Sequence, residues 1–110
     1  MQEVFINSIG SFLPNKAIDN DQMEDYLGRI KGKDSKAKSR ILKQNGIKSR
    51  YYALDKNQQS THTNAEMASN AAQAALKKSS VLINSIQLIA TGTTQGDLPV
   101  PGFASMVHGA

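Results

Sequence analysis

The spacing of apolar and polar residues along the chain predicts alternating strands and helices. Residues 4–9, VFINSI, place apolar side chains on both faces of an extended segment, which is typical of a buried strand. Residues 86–93, IQLIATGT, predict a second buried strand. Between them, residues 47–54, IKSRYYAL, favour a shorter strand-like arm because Ile and Tyr suit extended backbone.

Two short helices are predicted before that arm. IDNDQMEDYLG, residues 18–28, predicts a helix that Asp19 or Asn20 could cap, with acidic residues in its first turn. SKAKSRILKQNG, residues 35–46, predicts a second helix that Gly46 ends.

The clearest helix is NAEMASNAAQAALKK, residues 64–78. It carries a stripe of small side chains that would let a neighbouring element approach closely: Ala65, Ala68, Ala72 and Ala75. The last residues of the chain begin a further helix. Strands that alternate with helices in this order predict an α/β fold.

Positive charge is concentrated in residues 29–50, which we call the basic segment. It holds nine of the thirteen Lys and Arg residues and one Asp, whereas the whole chain carries a net charge of +4. Such a segment could attract phosphate groups, nucleic acid or an acidic protein. It could equally be a solvated helix face, which is common in proteins.

The amino-acid composition excludes several kinds of chemistry and of location for this chain. The chain has 110 residues, the size of one ordinary domain, and contains no cysteine, which excludes disulfides, thiolate metal ligands and thiol catalysis within it. The apolar runs are too short to span a bilayer, and the N-terminus lacks the features of a signal peptide. We therefore expect a cytoplasmic protein without a membrane partner.

No complete catalytic constellation is evident from the residues. GxGxxG, P-loop, HExxH and GxSxG patterns do not occur. His62 is expected at the surface, and His108 is expected to pack or to bond at a helix end. Asp97 is most simply a turn residue. Glu24 and Asp25 are adjacent, so they do not share a helix face as a catalytic pair would.

Four segments, taken in order, resemble the β-ketoacyl-acyl-carrier-protein synthase III family. They are IGSFLPNKAIDNDQMEDYLG, ILKQNGIKSRYYA, TNAEMASNAAQAAL and IQLIATGTTQGDLPVPGFASMVHGA, and together they cover nearly all of the chain. More narrowly, FLPN, MEDYLG, ILKQNGIKSRYYA and THTNAEMA resemble the branch of dialkylresorcinol, aryl-polyene and flexirubin-type pigment pathways.

This resemblance implies a thiolase-like fold, layered αβαβα, of which residues 1–110 would be an incomplete N-terminal portion. It also implies a homodimer that condenses acyl groups with a carrier-bound malonyl-type extender, in fatty-acid or polyketide-like biosynthesis, without a cofactor. The family's Cys nucleophile would follow residues 93–110, and its His and Asn partners would come from a second half. None of these positions exists in this chain, so no residue of it is expected to be catalytic, and the piece alone is predicted to be inactive.

The resemblance also implies sites for the substrate, with acyl carrier protein, or acyl-coenzyme A, as the partner. Arg40 and Gln44 occupy positions where well-known members have a Trp and an Arg that contact the adenine of coenzyme A. The aromatic platform is thus missing, and we expect Arg40, Lys43, Gln44 and Lys48 to contact the carrier or its phosphopantetheine arm.

A second implied site lies near the end of the chain. Val100, just before Pro101, occupies a position that is often Phe in the family, on a loop that reaches across the dimer to close the acyl pocket. A smaller residue there would leave room for a bulky or long primer.

Two hypotheses of other classes stay open at this point. The chain could be a small basic binding module for nucleic acid or an acidic protein, although aromatic residues are scarce in the basic segment and no nucleic-acid motif occurs. It could also be a non-catalytic interaction protein related to the family.

Overall fold

The computed structural model describes residues 2–110, which form two compact units. One unit is Pro14–His62, and the other combines residues 2–13 with Thr63–Ala110. The elements, in chain order, are β1 (Ile18–Asp19), α1 (Met23–Leu27), α2 (Lys38–Asn45), β2 (Ser49–Arg50), α3 (Asn64–Lys77), a 3-10 turn (Ile83–Ser85) and α4 (Phe103–Gly109).

The unit of residues 14–62 is built around a two-stranded antiparallel sheet. β1 pairs with β2, with Ile18 opposite Arg50 and Asp19 opposite Ser49. Ile18 is only 1% exposed. The strand-like arm predicted at 47–54 is thus confirmed in part. The helix predicted from residue 18 is wrong over its first residues, because these are paired to β2.

Both short helices end where glycine permits a backbone that other residues seldom adopt. α1 ends at Leu27, and Gly28 follows it with a φ of 85°. α2 ends at Asn45, and Gly46 follows it with a φ of 67°, so this glycine stops the helix as the sequence predicts. Asp19 accepts hydrogen bonds from the backbone N–H groups of Asp21 and Gln22, so it organises the turn before α1 rather than capping the helix.

The other unit is organised by α3. Thr63 caps α3 in a reciprocal capping box, since its side chain accepts from the Glu66 N–H while the Glu66 carboxylate accepts from the Thr63 N–H. A Cβ placed on Gly10 would overlap the Ala71 carbonyl oxygen and the Ala75 nitrogen. The small residues of α3 therefore admit the backbone of the N-terminal segment, as the alanine stripe predicts.

The strands predicted at 4–9 and 86–93 are wrong as strands. Neither segment has a sheet partner among residues 2–110. Their side chains are largely exposed instead: Val4 is 92%, Ile6 84% and Leu88 82% accessible. An extended segment becomes a strand only when a neighbour accepts and donates its backbone hydrogen bonds.

The predicted mixture of helix and sheet is confirmed, whereas the layered αβαβα arrangement is not seen within residues 2–110. The described part contains one two-stranded sheet, and α4 packs on α3. None of its helices is long and apolar enough to cross a membrane.

Candidate functional site

The basic segment contains α2 and the connections on both sides of it. Three of its nine cations are held by partners within their own unit. Arg29 bonds Asp25 and Asp34, Lys38 bonds Glu24, and Arg50 donates to the side-chain oxygen of Asn20. These contacts fix the connection between α1 and α2 and the end of β2.

Glu24 is the anchor of the α1–α2 connection. It is 6% exposed. One carboxylate oxygen accepts from the Ser35 N–H at 2.6 Å and the other from the Lys38 ammonium at 3.0 Å. A buried carboxylate is tolerated when such charge-assisted bonds satisfy it. Glu24 therefore holds the chain just before α2, and Asp25, bonded to Arg29, has a separate structural role.

The ion pair between Arg29 and Asp34 changes the acidity of both groups. The Arg29 guanidinium donates to Asp34 at 2.7 Å and to Asp25 at 2.8 Å. The hydrogen bond from Arg29 lowers the pKa of Asp34 below its ordinary value, although desolvation opposes the shift. The bonds to Asp34 and Asp25 raise the pKa of Arg29 further. Both shifts favour the charged forms of Arg29 and Asp34, and the pair is exposed.

The remaining cations of the basic segment are exposed. Within the described residues their side chains make no hydrogen bond and no ion pair: Lys31, Lys33, Lys36, Arg40, Lys43 and Lys48. Three of the residues singled out from the sequence belong to this set, and Gln44, the fourth, is exposed as well. Unpaired charges of this kind are available to an anionic partner.

A groove of about 540 Å³ runs along one side of α2. Lys43 and Lys48 line it, together with Lys38, Ser35 and Ser39. Arg40 and Gln44 do not line it, and they share another side of the helix because they are four residues apart. The structure thus separates the four predicted residues: Lys43 of α2 and Lys48, which follows the helix, line the groove, whereas Arg40 and Gln44 lie on another side of α2.

Asp21 and Asp34 also line the groove, so its charge is mixed. Leu42 and Ile47 are apolar lining residues, and Asn20, which also lines the groove, donates to the Ile47 carbonyl. A lining of cations, apolar side chains and two serines suits a ligand with an anionic group and an apolar stem.

The second predicted site lies on the loop before α4, in the other unit. Val100 is 77% exposed, Pro101 is exposed, and the peptide bond between them is cis. The loop is fixed at Asp97, whose two carboxylate oxygens accept from the Asn64 and Ala65 N–H groups, each at 2.8 Å. Asn64 in turn donates to the Gln95 carbonyl at 2.9 Å.

The two histidines, His62 and His108, lie in different parts of the chain and do not form a metal site within residues 2–110. His62 is half-buried, with Nδ1 3.0 Å from the Thr61 hydroxyl. His108 is exposed on α4 and lines a groove of about 910 Å³ between α3, α4 and residues 83–90. Within residues 2–110 no cluster of His, Asp and Glu could hold a metal ion.

Sequence reasoning missed the roles of Glu24 and Asp97. Thr63 and Glu66 carry a local signal, since T-x-x-E before an apolar run is the capping-box pattern. Asp97 carries none, because it bonds a helix start more than thirty residues earlier in the chain. The partners of Glu24 are likewise eleven and fourteen residues away.

Comparison with known proteins supports the relationship to the synthase III family. The chain is 33% identical over 108 residues to beta-ketoacyl-[acyl-carrier-protein] synthase III of Ehrlichia canis (strain Jake). It is 34% identical over 108 residues to the protein of the same name from Ehrlichia chaffeensis. A third relative, from Staphylococcus haemolyticus, is 29% identical over 105 residues.

These alignments cover almost the whole chain but a minor part of each relative. They span 96–98% of this chain and 30% of each relative. No protein-family model matches the chain. The similarity therefore supports the family for these residues, whereas the pigment-pathway branch is not supported by these names.

Proposed function

We propose that this chain is part of a condensing enzyme of the β-ketoacyl-acyl-carrier-protein synthase III type, active in fatty-acid synthesis. The single observation that carries the proposal is the 33% identity over 108 of the 110 residues to a protein of that name. The basic segment adds physical support, because an acidic carrier or a phosphate-bearing arm would be attracted to its unpaired cations.

The reaction in this proposal has two stages. A cysteine thiolate takes the acyl group from its thioester, and the donor thiol leaves. The carrier-bound malonyl group then loses carbon dioxide, and the resulting enolate attacks the acyl-enzyme carbonyl. A carbon–carbon bond forms, the cysteine thiolate leaves, and hydrogen-bond donors stabilise the developing negative charge. The chain has no cysteine, so its own residues bind and position substrate in this scheme.

We assign two roles to residues of this chain. Arg40, Lys43, Gln44 and Lys48 contact the acyl carrier or its phosphopantetheine arm, with acyl-coenzyme A as a second acyl donor. Val100 and Pro101 border the acyl pocket at a homodimer interface of a cytoplasmic enzyme. The exposure of all six residues is compatible with contact to a partner.

The test uses the protein produced from its own coding region, purified through a tag placed before Met1. Any sequence that follows Ala110 in the natural product is then retained. We expect release of carbon dioxide and formation of a ketoacyl-carrier product from malonyl-carrier protein and an acyl primer. The control is the 110-residue chain alone, in which we expect no acyl adduct by intact mass. A natural product without condensing activity would contradict the proposal.

A second candidate function rests on the charge of the basic segment. Six unpaired cations on one segment would also suit nucleic acid. Binding of the same protein to duplex and single-stranded DNA, measured against salt concentration, distinguishes the two functions. Tight, steeply salt-dependent binding together with absence of condensation would favour the nucleic-acid alternative.

A further inference from the structure

The loop that carries Val100 and Pro101 is held by polar contacts, not by apolar packing. Leu98 is 59% and Val100 77% exposed, so neither side chain is buried against the unit. Side chains that face solvent contribute little to fixing the backbone that carries them. The conformation of residues 98–101 must therefore depend on what holds the loop on either side.

Asp97 provides the contact on the N-terminal side. Its carboxylate bridges two consecutive N–H groups at the start of α3, those of Asn64 and Ala65. A negative charge at this end of a helix is favourable, and bonds to a carboxylate are stronger than neutral ones. The Asn64 side chain adds a second tether by donating to the Gln95 carbonyl.

The start of α3 already has a cap in Thr63, so Asp97 does more than cap this helix. Thr63 already satisfies the Glu66 N–H, and its carbonyl accepts from the Met67 N–H. Asp97 occupies the two N–H groups that remain. One helix start thus has two separate caps, of which only the one supplied by Asp97 reaches the loop.

On its C-terminal side the loop leads directly into α4, which begins at Phe103 and packs on α3. The Gly96 turn before the loop is compact, because a Cβ on Gly96 would lie 3.4 Å from the Leu98 carbonyl oxygen and about 4.0 Å from Met106. Residues 98–101 therefore lie between α4 and the polar contacts of residues 95–97 with the start of α3, of which the contact made by Asp97 is the charged one.

We propose that Asp97 is a positioning residue that sets the path of the loop 98–101 and, through Val100, the selection of the acyl primer. This inference rests on the proposed function. Asp97 touches neither substrate nor reacting atoms in this scheme. It acts by bonding the loop to α3. Its loss would therefore allow more loop conformations and reduce the difference in kcat/KM between primers.

The experiment compares Asp97→Ala with Thr63→Ala in the protein purified through a tag before Met1. Both variants remove a cap from the same helix start, so both are expected to lower thermal stability. Only Asp97→Ala releases the loop. Asp97→Asn, which keeps one acceptor oxygen, provides a milder variant in case the alanine variant does not fold.

Three measurements decide the outcome. Amide hydrogen exchange should rise at Asn64 and Ala65 in Asp97→Ala and at Glu66 in Thr63→Ala, because these N–H groups lose their acceptors. The backbone ¹⁵N–¹H nuclear Overhauser effect, which reports fast loop motion, should fall at Leu98 and Val100 in Asp97→Ala only. The ratio of kcat/KM values across a series of straight-chain acyl primers should change severalfold in Asp97→Ala, partly recover in Asp97→Asn, and stay unchanged in Thr63→Ala.

The possible failures are distinguishable. An unchanged nuclear Overhauser effect at Leu98 and Val100 in Asp97→Ala would show that Asp97 does not hold the loop and would overturn the inference. Increased loop motion with an unchanged primer ratio, in an enzyme that condenses normally, would also overturn it. An inactive parent protein would instead contradict the proposed function.

Discussion

At the scale of single residues, the ion pair of Arg29 and Asp34 makes a prediction about pH. The hydrogen bond from Arg29 lowers the pKa of Asp34 below its ordinary value of 3.8. A lowered pKa means that the pair stabilises the folded chain above the ordinary value, and that this contribution disappears as pH falls through the folded pKa. We expect the Asp34 carboxyl carbon to titrate below 3.8 in an NMR pH series.

The control for this titration is Arg29→Gln, which removes the positive charge and most of the donor geometry. The pKa of Asp34 should rise towards its ordinary value in that variant. An Asp34 midpoint that is the same in both proteins would contradict the ion pair. Because both partners are exposed, the effect on overall stability is expected to be small.

A second residue-scale prediction concerns Gly10. Replacement by alanine would place a methyl group 2.9 Å from the Ala75 Cα and closer still to two backbone atoms of α3. Backbone cannot move aside as a side chain can, so we expect Gly10→Ala to cost about 1–3 kcal/mol of unfolding free energy. Gly92→Ala is the matched control, since nothing lies within 4 Å of its added Cβ. Equal stability of the two variants would refute the close approach.

At the scale of elements, the connection between α1 and α2 depends on one buried carboxylate. Glu24→Ala removes the acceptor for the Ser35 N–H and leaves Lys38 uncompensated, and the side chains of the pair are 7% and 16% exposed. Removal of one partner from a buried pair costs about 3–5 kcal/mol. We expect Glu24→Ala to lower the free energy of unfolding by an amount near the lower end of this range, because Lys38 retains some access to water. Chemical denaturation measures this loss.

Asp25→Ala serves as the comparison, since Asp25 adjoins Glu24 but makes an exposed pair with Arg29. Its loss should cost no more than about 1 kcal/mol. Similar losses of unfolding free energy for Glu24→Ala and Asp25→Ala would contradict the structure, in which Glu24 is buried and Asp25 is not.

The elements differ in how far the sequence predicts them. α3 was predicted at residues 64–78 and lies at Asn64–Lys77, because its periodicity and length are local properties. α2 was predicted to be stopped by Gly46, and it is, for an equally local reason. Residues 4–9 and 86–93 were predicted as strands from their apolar content, but a strand needs partners that no local pattern supplies. Ile18 illustrates the converse, since a short pairing with distant Arg50 overrides its place in a helix-like stretch.

In the candidate site, too, local properties could be predicted from the sequence, whereas tertiary contacts could not. That Arg40, Lys43 and Lys48 are exposed could be predicted from charge and helix spacing. Their division between a groove and a neighbouring face depends on how residues 20–21 and 34–35 pack beside α2, which the local pattern does not contain. The attachment of Asp97 to α3 depends on tertiary structure in the same way.

At the scale of the whole molecule, exposed apolar segments predict association of the isolated chain. Val4, Ile6 and Leu88 lie in segments outside the described helices and strands and are 82–92% exposed. Such segments invite pairing with another chain. We expect the 110-residue chain alone to self-associate with rising concentration in sedimentation experiments. Replacing Val4 and Ile6 by Lys should weaken the association, and a chain that stays monomeric and melts cooperatively would contradict this expectation.

The distribution of charge predicts how the proposed enzyme would choose its acyl donor. Six cations of the basic segment are unpaired, so an acidic carrier protein should be favoured over free coenzyme A. Each exposed pair contributes only about 0.2–1 kcal/mol, so several must act together, mainly on the rate of association.

Reversing the charges of Arg40, Lys43 and Lys48 in the protein purified through a tag before Met1 should lower kcat/KM for acyl-carrier substrate severalfold, and added salt should reduce the difference. Reversal of Lys56, outside the basic segment, is the control and should have little effect. Equal kcat/KM values for carrier-bound and coenzyme A-bound acyl groups, or indifference to the triple reversal, would mean that these exposed cations are merely solvated.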